Sequence, residues 1–128
     1  MIAQNRGDSI VEVVVAVAII SMVALALIRV TTVALNNATF AKNQATATKY
    51  AQEAIEEVRL IREANGSVFF DNTALCQSSS LSPLPGNFVR QKTCTLNASI
   101  MQVLVVISWD DNTGTHHSEL ETYLTKWQ

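Results

Sequence analysis

The chain changes character twice along its length when apolar and polar positions are followed in order. From Val13 to Ile28 every residue except Ser21 is Val, Ala, Ile, Leu or Met, and Ile10 and Val11 extend the run across Glu12. No polar stripe at helical spacing interrupts it. A helix that is apolar all round is buried, either in lipid or in protein. The rest of the chain is too short and too polar to enclose it, so lipid is the better solvent. The run approaches the ~20 residues needed to cross ~30 Å of hydrocarbon.

The helical pattern does not stop with the apolar run. Gly and Pro are absent from Asp8 to Asn65. Farther along, Ala47, Ala51, Ala54, Ile55, Val58 and Ile61 fall at three- and four-residue steps and form one apolar stripe. Lys49, Glu53, Glu56, Glu57, Arg59, Arg62 and Glu63 are expected to cover the other side. Asn65-Gly66 reads as the helix stop, with glycine supplying a left-handed cap. Ser9 reads as the N-cap. A helix from Ser9 to Ala64 would be roughly 80 Å long. The middle segment, Val30 to Thr46, carries only Lys42 as charge and has small residues on every side. A lone helix of that kind is marginal in water. It is better satisfied by packing against copies of itself, or else serves as a plain stalk.

After Gly66 the pattern switches again. Ser67 to Asn87 is rich in Ser, Asn, Pro and Gly, which is loop chemistry with one short strand expected at Val68-Phe69-Phe70. Phe88 to Leu96 and Ile100 to Trp109 read as strands, the second nearly apolar throughout. Asp110 to Gly114 reads as a turn. His116 to Leu124 then alternates, with Ser118, Leu120, Thr122 and Leu124 on one face and His117, Glu119, Glu121 and Tyr123 on the other. The expected fold is α+β: one long N-terminal helix whose C-terminal half packs on a small antiparallel sheet.

Composition adds two points. The net charge is −2 and there is no basic run, so no phosphate-backbone footprint is visible. The two cysteines, Cys76 and Cys94, flank the Ser/Pro loop. In an oxidising compartment they would pair, which is worth on the order of 3 kcal/mol for a loop of this size. In a cytosolic domain they would be free thiols.

Glu12 is the costly residue. A charge near the bilayer centre costs roughly 2.5–3.5 kcal/mol, less toward the interface, so an intramembrane carboxylate calls for a partner. A cleaved signal peptide is the competing reading, and Ala24-Leu25-Ala26 offers a small-x-small site before Leu27. Against it stand Asp8 and Glu12, placed where a signal peptide prefers positive charge, and the length of the apolar run. Arg6 precedes the span while Arg29 and Lys42 follow it, so charge barely separates the two sides.

Gly7 followed by Asp8-Ser9-Ile10-Val11-Glu12 and an apolar helix resembles the N-terminal signature of type IV prepilins and type II secretion pseudopilins. That motif covers Gly7 to Ile28, and the remainder is similar to the family in layout only. The resemblance implies four segments. Residues 1–7 are a cytoplasmic leader, and 8–29 are the membrane and filament-core helix. Residues 30–66 continue that helix, and 67–128 form a small sheet region holding the Cys76–Cys94 loop. It implies cleavage after Gly7 by a prepilin peptidase, which can methylate the new terminus at Asp8. The subunit first sits in the inner membrane as a single-pass protein with its N-terminus in the cytoplasm. An assembly ATPase and platform protein then move it from lipid into a periplasmic or extracellular filament of other pilin or pseudopilin subunits. Glu12 would pair there with the N-terminal amine of a neighbour and set the register.

Two departures from the family pattern carry information. Asp8 replaces the usual first aromatic and adds a third charge at the register site. The span lacks the Gly and Pro common in major pilins, which favours a minor pilin or pseudopilin.

Other chemistries find little support in the residues. Adjacent strand residues face opposite ways, so His116 and His117 do not readily share a metal. The stretch from Asp110 to Glu121 faintly resembles a calcium loop but has Thr115 where the sharp-turn glycine belongs. There is no phosphate loop or nucleophilic catalytic set, and neither an enzyme nor a cofactor is expected. The alternative function is a single-pass, membrane-anchored binding module that is not assembled in a filament. A secreted enzyme with an atypical signal peptide would lack any catalytic constellation.

Overall fold

The computed structural model describes residues 6–77 and 81–126, with side chains described for 10–77 and 84–126. Most of the expected leader, residues 1–5, and the Ser78-Ser79-Ser80 run lie outside the described residues. The chain separates into two compact units, Met1–Phe40 and Ala41–Gln128.

One helix, α1 (Arg6–Asn65), supplies all of the first unit's described structure and enters the second. It begins before Ser9, which therefore lies inside the helix rather than at its cap. Its end is where the sequence places it. Gly66 adopts φ +55° and its N–H donates to the Arg62 carbonyl at 2.8 Å. This is the left-handed stop that glycine reaches without Cβ strain.

The second unit contains the C-terminal half of α1, two short helices and a sheet. The short helices are α2 (Val68–Asp71) and α3 (Thr73–Gln77). The expected strand at Val68–Phe70 is thus a helical turn. Phe69 and Phe70 are both buried, with rings 5.3 Å apart and nearly perpendicular. A strand would have sent one of them outward. Asn72 accepts the Ala74 N–H at 3.1 Å and opens α3.

The sheet comprises β1 (Leu81–Leu84), β2 (Phe88–Asn97), β3 (Ile100–Asp111) and β4 (Gly114–Thr125). The strands lie in sequence order, each antiparallel to the next. β1 falls in the stretch expected to be loop. The β3–β4 turn narrows to Asn112-Thr113, where the Asp111 carboxylate accepts the Thr113 N–H at 2.7 Å and its hydroxyl at 2.5 Å.

Alternation decides which face packs. Phe88, Cys94, Met101, Val103, Val105, Ile107, Trp109 and Leu124 form a buried inner face. Opposite them lie Ala47, Ala51, Ala54, Ile55 and Val58 of α1. Three of these five are alanine, so the sheet supplies most of the core's volume. Each buried Val, Ile or Phe contributes roughly 1.5–3 kcal/mol. The architecture is α+β, with the C-terminal half of one long helix packed on a small antiparallel sheet.

Candidate functional site

Within the first unit the helix surface is itself the feature. Every large apolar side chain described from Ile10 to Leu35 stands exposed, on all sides of α1. By length and composition, α1 is the one helix among the described residues able to cross a membrane. Its hydroxyls suit an apolar surrounding. Ser21 donates to the Val17 carbonyl at 2.7 Å, Thr32 to Ile28 at 2.9 Å and Thr39 to Leu35 at 3.0 Å. Thr31 reaches the Leu27 and Ile28 carbonyls at 3.0 and 2.9 Å. Each of these four hydroxyl protons is thereby satisfied inside the helix.

Glu12 is exposed within this apolar surface. Gly7 and Asp8 lie in the first turns of α1. Positions 8 and 12 are four apart and share one side of the helix. A terminus created at Asp8 would therefore stand on the same side as the Glu12 carboxylate, one turn away.

The two cysteines are joined. Cys76 of α3 and Cys94 of β2 form a disulfide with Cα atoms 6.1 Å apart, and both are buried. The neighbouring Gln77 amide donates to the Cys94 carbonyl at 3.2 Å. The bridge ties the short helices to the inner face of the sheet.

Sequence reasoning missed a charge cluster at the helix–sheet contact. Lys92 is 2 % exposed, on the inner face of β2. Its Nζ lies 3.9 Å from Oε2 of Glu57, and Nη2 of Arg90 lies 3.7 Å from the same oxygen. Burial pushes the Lys92 ammonium below its ordinary pKa; Glu57 opposes that shift and Arg90 adds to it. Glu57, expected on the solvated side of α1, is instead turned toward the sheet. The missed signal was period two: Arg90 and Lys92 alternate in phase with Phe88 and Cys94, both inward.

A chain of rings closes one end of the core. Tyr50 of α1 meets Phe88 at 5.5 Å, Phe88 meets Trp109 at 5.8 Å, and Trp109 meets His116 at 5.6 Å. His116 Nε2 also lies 3.1 Å from the Asp111 carboxylate. His117 stands exposed on the opposite face, where it pairs with Ser108. The two histidines thus belong to different surroundings. The Asp110 and Asp111 carboxylates serve the turn: Asp110 accepts from the Thr115 hydroxyl at 2.6 Å. Hydrogen bonds from the Thr113 side chain and backbone hold the Asp111 carboxyl down to about 2.

No protein-family model, curated protein or solved structure matches the chain.

Proposed function

We propose that this chain is a structural subunit, a minor pilin or pseudopilin of a type IV pilus-like or type II secretion-like filament. The observation that carries the reading is the first half of α1. From Ile10 to Ile28 it is apolar on every side, with its described hydroxyl bonded inside the helix and Glu12, five residues beyond Gly7, as the single charge of that stretch. Such a surface suits lipid before assembly and the sides of like helices afterward. Moving between the two changes little for the apolar residues. It matters most for Glu12, which gains a counter-charge if the neighbouring subunit offers an amine at Asp8. Removing one partner of a buried ion pair typically costs 3–5 kcal/mol, enough to make the pair a register device.

The sheet unit supports this role as a rigid head. Its disulfide suits an oxidising space outside the cytoplasmic membrane, with the leader remaining inside. The proposed partners are the prepilin peptidase, the assembly ATPase and platform protein, and other pilin-like subunits.

Glu12→Gln tests assembly directly. The variant is expected to reach the membrane and be processed at the wild-type level, yet to be missing from sheared filaments. Undiminished incorporation would remove Glu12 from the account. An uncleaved chain that forms a stable detergent complex without filament machinery would favour the membrane-anchored binding module.

A further inference from the structure

The sheet ends differently on its two sides. β1 has four residues and includes Pro83. Shortness and proline blunt an edge against further pairing. β4 has twelve residues and no proline. Its register with β3 runs unbroken from Ile100↔Thr125 to Asp111↔Gly114, so no bulge turns the edge away. Alternate residues of an antiparallel edge strand direct their N–H and C=O groups outward. Among the described residues the stretch of β4 from Glu119 to Thr125 pairs with β3 alone, and no described backbone group outside the sheet bonds to it.

A groove adjoins this edge. Gln52, Ile55, Glu56 and Arg59 of α1 form one wall and Leu120, Glu121 and Thr122 of β4 the other, around a volume of about 450 Å³. A strand added to β4 would place alternate side chains in this groove, over Ile55 and Leu120. The intervening side chains would stand on the outer face, beside Glu119, Glu121 and Tyr123.

Charge selects the occupant. Both cations of the sheet, Arg90 and Lys92, lie in positions that face inward. The outer positions of β2, β3 and β4 hold Asp110, Glu119 and Glu121 and no Lys or Arg. Hydrogen bonds from Tyr123 and Gln102 favour the ionised form of Glu121. Arg59 in the groove is engaged by Glu56 at 2.5 Å. Two copies paired antiparallel about Leu120 would set Glu119 of each against Glu121 of the other, like charge beside like.

We infer that the β4 edge is a strand-addition site for an extended basic segment of a different protein. Its Lys or Arg residues would alternate along the strand to meet Glu119 and Glu121, and its small apolar residues would enter the groove over Ile55 and Leu120. This site is independent of the assembly role of the apolar helix.

The test uses the full chain in a neutral detergent and a fluorescent ten-residue peptide alternating Lys and Val. A Glu–Val peptide of the same pattern is the charge control. Two further Lys–Val peptides carry N-methyl groups at alternate residues, one on each edge. The Lys–Val peptide is expected to bind saturably and to slow amide exchange along β4. Methylation of one edge should weaken binding by roughly tenfold or more, because several backbone hydrogen bonds are lost. Glu119→Lys with Glu121→Lys should reverse the preference toward the Glu–Val peptide. The inference is overturned if the Lys–Val peptide does not bind, or if both methylated peptides bind as well as the parent. Equal binding to the charge-reversed chain overturns it too, as does association of the chain with itself through β4.

Discussion

Replacing Lys92 with methionine should stabilise the sheet unit. The Lys92 side chain is fully buried, with Nζ 3.9 Å from Glu57. At that distance the attraction is about 4 kcal/mol at an effective dielectric near 20. The Glu57 side chain is 41 % exposed, so solvent screens the pair to a fraction of that value. Withdrawing the ammonium from water costs several kcal/mol. Burial is the largest influence on Lys92, and it lowers the pKa, so desolvation outweighs the attraction. Glu57 keeps Arg90 at 3.7 Å when the lysine is gone, which leaves no stranded carboxylate. Methionine has similar length and fills irregular space. The expected gain is about 1–2 kcal/mol, within the range seen when buried ion pairs are replaced by apolar groups.

The assay is urea unfolding of the detergent-solubilised chain, followed by tryptophan fluorescence; of the two tryptophans, Trp109 packs in the core beside Phe88. The pH dependence supplies a second readout. A lysine with a lowered folded pKa imposes its full cost below that pKa. The cost fades as pH rises toward the unfolded value of 10.5. Wild type should therefore gain stability relative to Lys92→Met across that alkaline window. Destabilisation of Lys92→Met by more than about 1 kcal/mol would refute the reasoning, because the pair would then outweigh the desolvation cost.

Three further outcomes are expected. Cys76→Ala with Cys94→Ala should lower the stability of the sheet unit by about 3 kcal/mol in the chain-entropy model, measured by the same urea titration and mimicked by reductant. Asp111→Asn should leave stability at pH 2 nearly unchanged but lower it at neutral pH. The folded carboxyl lies near 2 against 3.8, so its contribution is present above the unfolded value and lost as pH falls through the folded one. Acid titration of both proteins, followed by near-ultraviolet circular dichroism, checks this. Glu12→Gln should uncouple membrane residence from filament incorporation, as read by fractionation.

Much of this fold is legible in local patterns. The stripe from Ala47 to Val58 is buried as its spacing requires, and Ile61 packs against it half-buried. Gly66 ends the helix, and the three long strands lie where alternation puts them. β4 presents Ser118, Leu120, Thr122 and Leu124 inward, with His117, Glu119, Glu121 and Tyr123 outward. The illegible parts depend on distant partners. Val68-Phe69-Phe70 has strand-like composition, yet burying both aromatic rings requires a helical turn. β1 exists because Leu81–Leu84 finds Phe88–Gln91 across a tight turn, a pairing that Pro83 and Pro85 disguise. The Glu57, Arg90 and Lys92 cluster joins a helix to a strand more than thirty residues away. Glu57, three residues after Ala54 and four before Ile61, flanks the buried stripe, whereas Glu53 and Glu56 lie farther round and are exposed; periodicity thus turns it toward the sheet but does not name its partners. At the N-terminus, the pattern places Glu12 on an apolar helix, but its counter-charge is expected on another subunit.

The mass of the mature chain tests the central claim most directly. Protein extracted from membranes of a host with a prepilin peptidase should begin at Asp8, with or without a single methyl group. Gly7→Val should leave the leader attached. A mature chain that begins at Met1 or at Leu27 would contradict the assembly account.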